Sequence, residues 1–215
     1  MLPRLRLLTF PIIALGLGYL VFGPATKIQF TVGGIAGGFL ALYMWVRDEP
    51  PEHVKRHRDG AEGERATAKT LKPLTDAGWR VIHDIDTGRG NRDHVLIGPA
   101  GLFLIDSKKL GGRITIEGDT VQVERLDDER DSYSLPKLAG SLRGEAARLS
   151  REILAGVGVQ AWVTAVVVFW SPFPAGVVEG SNIVFVHGDE LIQWLRSKPD
   201  RMSAPIVSRI VTHLA

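Results

Sequence analysis

A chain of 215 residues with an apolar fraction of 45% can fill one or two compact domains with a real core. Its net charge of +2 is unevenly spread: residues 1–46 carry only Arg4, Arg6 and Lys27 and no acid, so the remaining 169 residues hold 23 basic and 24 acidic side chains. That near-neutral remainder excludes a globally basic nucleic-acid binder, and any nucleic-acid contact must come from local patches.

Two apolar runs come first, residues 7–22 (LLTFPIIALGLGYLVF) and 28–46 (IQFTVGGIAGGFLALYMWV). Each approaches or matches the roughly 20 residues that span a bilayer. Only GPATK separates them, and so short a link between spanning helices forces a hairpin with both outer ends on one side. Arg4 and Arg6 precede the first run, and Arg47 with the cluster Lys55–Arg58 follows the second, against Lys27 alone in the turn. The positive-inside rule therefore places both termini and the soluble part in the cytoplasm, on a multi-pass protein of the cell membrane. Gly33, Gly34, Gly37 and Gly38 give overlapping GxxxG spacings in the second run. These permit close approach by the first helix or by another copy in a homo-oligomer. The absence of cysteine fits a cytoplasmic domain.

The expected organisation is a transmembrane hairpin over 1–46, a juxtamembrane linker over 47–59 marked by Pro50 and Pro51, and a soluble domain over 60–215. Asp59 is placed to cap a helix whose less polar stripe runs through Ala61, Glu64, Ala68, Leu71 and Thr75, with Glu62 on the solvated side and Pro73 ending the helix. Strand signals follow at 79–85, 93–98, 102–108, 113–118 and 120–126. After the acidic DDERD loop, Leu135, Leu138, Leu142, Ala146, Leu149 and Ile153 mark one face of a helix to about Leu154. Strands at 161–170 and 182–187 precede a helix capped by Asp189 and a last helix over 204–214. This order implies an α/β sandwich around a mixed sheet.

The stretch DHVLIGPAGLFLIDSKK, residues 93–109, holds the chemistry. For a hairpin centred on Pro99 and Ala100, cross-strand partners sum to 199, so Asp93 falls opposite Asp106 and Lys108 returns to the same face. Pro99 cannot enter a type I′ turn, and an odd-length loop would shift that register. Opposed carboxylates at about 5 Å destabilise a sheet unless a cation or shared proton offsets them, so the pair points to a divalent metal. Hard oxygen donors suit Mg²⁺ or Mn²⁺. Arg89 and Arg92, in the TGRGNR loop just before Asp93, are candidate contacts to a nucleic-acid backbone, although an ordinary hairpin connection explains that loop equally well. His94 alternates away from Asp93 and reads as a core or surface histidine. Trp79, Trp162 and Trp170 read as packing residues.

Over residues 60–118 the blocks GAEGE, GWRVIHDI and RDHVLIGPAGLFLIDSKKLGGRI, in that order and at natural spacing, resemble the nuclease-related domain (NERD), a branch of the PD-(D/E)xK nuclease superfamily. The resemblance implies a restriction-endonuclease-like mixed sheet flanked by helices and metal-dependent phosphodiester hydrolysis, on DNA in preference to RNA. By position, Glu64 matches the helix acid, Asp93 the hairpin acid, and Asp106 with Lys108 the acid-x-lysine pair. Asp106 stands where NERD members commonly carry glutamate, a change the wider superfamily accepts. Glu64, Asp93 and Asp106 would then hold the metal, while Lys108 would orient the attacking water or stabilise charge developing on phosphorus. The alternative is a non-catalytic membrane-tethered module that uses the same fold to bind nucleic acid or a protein.

Overall fold

A computed structural model describes residues 52–88, 91–125 and 132–215, with backbone alone over 52–57, together with helical residues 31, 34, 35, 37–39 and 43. Most of the two apolar runs at 7–22 and 28–46 therefore lies outside the described residues, as do Arg89 and the DDERD loop. Residues 1–54 and 55–215 form two compact units, and the second carries both β-sheets.

The element order is helix α1 (Glu52–Leu71), a 3-10 turn (Lys72–Ala77), strands β1 (Arg80–Asp86), β2 (Asn91–Gly98), β3 (Gly101–Lys108), β4 (Arg113–Glu117), β5 (Thr120–Glu124) and β6 (Tyr133–Leu135). Helix α2 (Leu138–Val157), β7 (Val163–Phe169), β8 (Val177–Gly180), β9 (Ile183–His187), α3 (Leu191–Arg196) and α4 (Ala204–Leu214) complete it. Six strands form one sheet in the order β1-β2-β3-β7-β9-β8, and β4-β5-β6 form a second. In the larger sheet β3, β7 and β9 are parallel neighbours, while β1, β2 and β8 pair antiparallel. The expected mixed α/β sheet flanked by helices is thus present. The parallel strand β7 is buried almost throughout, which explains its unbroken VVVF run: helices cover both of its faces, so neither needs polar residues. One layer packs Val95, Leu104, Val167 and Phe169 against Ala146, Leu149 and Ile153 of α2 and Ile210 of α4. The other packs Leu96, Ile105 and Val168 against Leu71, Leu74, Trp194 and Leu195. Each large apolar side chain so buried contributes roughly 1.5–3 kcal/mol.

Several local expectations change. Helix α1 begins at Glu52, so Asp59 lies inside it rather than at its cap. Its buried line is Gly63, Thr67 and Leu71, with Glu64 only half-buried at its edge and Thr75 exposed. The reason is that glycine and threonine, which look neutral in a sequence pattern, are what fit against the sheet here. Pro73 does end the helix, inside the 3-10 turn. Asp189 caps nothing; its carboxylate lies 3.5 Å from His187 Nδ1, and α3 starts without a side-chain cap. Strands β6 and β8, three and four residues long, are too short to show an alternation, and the sequence pattern does not reveal them.

The β2–β3 turn holds the expected register. Gly98 pairs Gly101 and His94 pairs Ile105, so the loop is the two residues Pro99 and Ala100. Proline's fixed negative φ bars a type I′ turn, and Gly101, at φ 134°, takes up the twist that the turn cannot supply.

Candidate active site

The acids gather where α1 crosses the ends of β2 and β3. Helix α1 is fixed there by a buried hydroxyl: Thr67 Oγ1 meets Ser107 Oγ at 2.8 Å and accepts from Trp170 Nε1 at 2.8 Å. Thr67 is fully buried and Ser107 nearly so, so removing the Thr67 hydroxyl would strip the Ser107 hydroxyl and the Trp170 indole N–H of their shared partner where water does not reach, at a cost of about 1–3 kcal/mol. One turn earlier, a Cβ on Gly63 would stand 3.4 Å from the Lys109 backbone nitrogen and 3.6 Å from Trp170 Cδ1, ordinary contact distances that show how near the helix lies to the chain just past β3. Three residues before Thr67, Glu64 is carried to the acid group.

Consecutive lysines divide their partners between neighbouring elements. Lys108 Nζ donates to Asp106 Oδ1 at 2.7 Å, while Lys109 Nζ bonds Glu62 Oε2. Lys109, then Arg58, holds the Glu62 carboxyl below the usual glutamate range. Glu62 is therefore ion-paired rather than merely solvated. Glu64 behaves in the opposite way: burial first, then Asp93 and Asp84, and lastly Asp106, push its carboxyl up against the pull of Lys108. The Asp106 carboxyl is also raised, chiefly by burial and further by Asp93, with Lys108 opposing.

Strand pairing departs from simple alternation at this point. The β1–β2 ladder passes from His83–His94 to Ile85–Arg92, stepping over Asp84 and Asp93, and Asp84 has φ 52°, a left-handed conformation uncommon outside glycine and favoured among the rest by Asn and Asp. Ile82 and Ile85, three residues apart, both pack on the α2-side cluster, so the faces exchange across Asp84. The same exchange turns Arg92 toward α2. Its guanidinium is buried and donates to Glu145 at 2.8 Å and Glu152 at 2.9 Å. That corrects the sequence expectation for Arg92: a buried cation already shared by two carboxylates is not open to a phosphate. Asp93 and Asp106 are not direct partners in the ladder either, since the β2–β3 pairing ends at His94–Ile105 and the Asp93 carboxylate instead accepts the Ser107 backbone N–H at 3.1 Å.

His94 is buried, as expected of a core histidine, with its Nδ1 2.7 Å from His83 Nδ1. Burial and His83 pull its pKa down to about 4. Asp84, His83 and Thr67 escape a reading of the sequence. For the first two a signal exists, because the β1–β2 register that pairs Ile85 with Arg92 also sets Asp84 level with Asp93.

The oxygen donors suit a hard divalent cation. Asp106 Oδ2 is buried and lacks a hydrogen-bond partner, and Glu64 is pushed up by burial and its carboxylate neighbours; a cation would relieve both conditions. Among the described residues no three acids or histidines stand close enough together to form a ready-made metal cage. One oxygen of Asp106 is held by Lys108 and one of Asp93 by the Ser107 amide.

The family model of the nuclease-related domain, NERD, matches residues 59–170, more than half of the chain. The chain belongs to the NERD family. No curated protein and no solved structure matches it. The NERD match runs from within α1 to the residue after β7 and so contains Glu64, Asp93, Asp106 and Lys108 as well as the Arg92 clamp; β8, β9, α3 and α4 lie beyond it.

The buried His94 makes a pH prediction for the metal-free NERD domain. Its folded pKa is depressed, so between pH 6.5 and 4 the unfolded chain takes up a proton that the native state refuses, and stability falls as pH falls. Urea unfolding in EDTA should show wild type losing about 2 kcal/mol more than His94→Gln between about pH 7 and pH 4.5. Equal losses would show that His94 titrates normally in the fold.

Proposed function

We propose that this NERD protein is a membrane-anchored nuclease that hydrolyses nucleic-acid phosphodiester bonds with Mg²⁺ or Mn²⁺. The observation that carries the reading is the unpartnered, buried Oδ2 of Asp106 beside Asp93, with Lys108 Nζ on the other oxygen of the same carboxylate. Glu64, Asp93 and Asp106 would hold the cation. When bound, it supplies Lewis-acid polarisation of the phosphate and charge neutralisation. Lys108, whose Nζ is held in place by Asp106, places a fixed positive charge where negative charge grows on the phosphoryl oxygens, and its N–H groups can orient the attacking water. Arg92 acts indirectly, by fastening β2 to α2 through Glu145 and Glu152 so that the next residue, Asp93, is held in place.

Calorimetric Mn²⁺ titration together with a cleavage assay tests this. Asp106→Ala should lose both metal binding and cleavage. Lys108→Met should keep metal binding while turnover drops by ~10² or more, the scale of losing one preorganised electrostatic group. Metal bound equally well by wild type and Asp106→Ala would remove Asp106 as a ligand. Unchanged cleavage by Lys108→Met would remove the lysine from the chemistry.

The second reading, a binding module without catalysis, is favoured by one observation, the lack of a three-donor metal cage among the described residues. Under it Lys108 is an ion-pair partner of Asp106 and nothing more, and Mn²⁺ would bind no more tightly to wild type than to the variants.

The membrane anchor rests on the two apolar runs and their flanking charges. Among the described residues no helix is long and apolar enough to cross a membrane, and the runs lie largely outside them. Within the second run Ile35, Phe39 and Tyr43 are helical and large portions of their side chains are exposed, 58%, 69% and 57%. Spaced four apart, they form one stripe, a surface suited to lipid or to a second helix. The chain has no cysteine, so single-cysteine labelling is clean. Lys27→Cys should react with an impermeant maleimide in intact cells and Ser132→Cys only after lysis. Labelling of Lys27→Cys only after lysis would contradict the hairpin.

A further inference from the structure

A cavity of about 310 Å³ opens between α2 and the start of β7, lined by Arg143, Ser150, Arg151, Trp162, Val163 and Asn182 among others. Trp162 reads from the sequence as a packing residue, yet 67% of it is exposed. An indole left in water forgoes the gain of burying its large apolar face, and its neighbours on α2 and β7 do not cover it. The residues around it are unevenly charged, two arginines and no carboxylate. Arg143 is committed, with Nη1 2.5 Å from Asp119 Oδ2 and 2.9 Å from the Ser181 carbonyl. Arg151 is exposed and, among the described residues, makes no ion pair. Asn182, at φ 58°, stands at the rim on the turn between β8 and β9, and its amide carries both donors and an acceptor.

The position of this cavity relative to the acids is set by the sheet. Strands β3 and β7 are parallel, with Val163 beside Leu102 at one end and Phe169 beside Lys108 at the other. The cavity therefore lies toward the opposite end of β7 from the acid group, about 13 Å from the level of Asp106, which pairs Val167, and about 20 Å from that of Lys108, at ~3.3 Å per residue. We propose that it is a second nucleic-acid subsite, taking one unpaired nucleotide of a strand that reaches toward the acid group: Trp162 stacks on the base, Arg151 meets its phosphate, and Asn182 faces the base edge. This rests on the reading that the ligand is nucleic acid, and it adds that a single-stranded segment is what the protein grips. An aromatic face beside an arginine, with no acid lining the site, is the combination that holds unpaired bases with little regard to sequence. A duplex buries its base faces in its own stack and offers Trp162 nothing.

The test measures binding apart from cleavage. The full chain in detergent is titrated, in EDTA, with a fluorescein-labelled dT12 strand and with a hairpin duplex of similar length, followed by anisotropy. Trp162→Ala should weaken dT12 binding about tenfold, with Trp162→Phe restoring most of it and duplex binding unchanged. Arg151→Gln should weaken dT12 binding and flatten its salt dependence by about one phosphate contact, a slope change of roughly 0.7. Trp162 is exposed, so its replacement leaves the core intact. Equal dT12 affinity for wild type and Trp162→Ala, or no dT12 binding by wild type, overturns the proposal and leaves the cavity to another kind of partner. Trp162-dependent dT12 binding by a protein that cleaves nothing would sustain the subsite while rejecting the nuclease reading, so the two failures are distinguishable.

Discussion

The hydroxyl of Thr67 is the contact on which the candidate site depends. It joins α1 to Ser107 in β3 and to Trp170 just beyond β7, and it does so in a place closed to water. Helices pack against sheets mainly through apolar contact, which tolerates sliding. A buried hydroxyl with two partners does not, because a small displacement leaves polar atoms unsatisfied. The consequence is that Glu64, on the same turn of α1, is held near Asp93 and Asp106 despite the mutual repulsion of the three carboxylates. Gly63 lies at the close approach and the Lys109–Glu62 ion pair borders it. The ion-paired Glu62 and the half-buried Glu64, two residues apart, are thereby given different roles by their surroundings.

A second constraint is the exchange of faces at Asp84 and Asp93. In a regular pleat Arg92 and Val95 would point to opposite sides. Here Arg92 bonds two glutamates of α2 while Val95 packs into the α2-side core, and the strand can do both only because the ladder is interrupted between them. Asp84 carries the cost in a left-handed φ. Strained backbone of this kind persists where surrounding contacts determine it, and such positions cluster at functional sites. Burial of Asp106 and His94 works in the same direction, since each is pushed toward its uncharged form by its environment. Burial of the Asp106 carboxyl thus works against its charged form, a tension expected where a site is shaped for a ligand rather than for stability.

Much of this architecture is legible in the sequence because it follows from short-range rules. The β2–β3 register can be read from a two-residue turn, and the covered faces of α2 and β7 from their apolar spacing. The phase of α1 is harder, since its buried line contains glycine and threonine, residues that pattern reasoning treats as neutral. Arg92 cannot be placed at all from alternation: its direction depends on the interruption at Asp84, which is tertiary in origin, and its partners lie more than fifty residues further along the chain. Trp162 looks like core because it adjoins a buried strand, yet it sits one residue before β7 begins and outside the layer that α2 covers. The family resemblance seen over residues 60–118 extends, in the NERD match, to residue 170, across β5, β6, α2 and β7, where sequence alone offers at most the order of elements.

The proposed function stands or falls on whether Glu64, Asp93 and Asp106 share one cation with Lys108 at its edge. An anomalous-scattering map of the protein crystallised with Mn²⁺ tests this most directly. A single strong peak is predicted within coordination distance of Asp106 Oδ2 and of an Asp93 oxygen, with Glu64 turned toward it. A peak elsewhere, or Lys108 still holding Asp106 with no peak beside it at saturating Mn²⁺, would contradict the shared site.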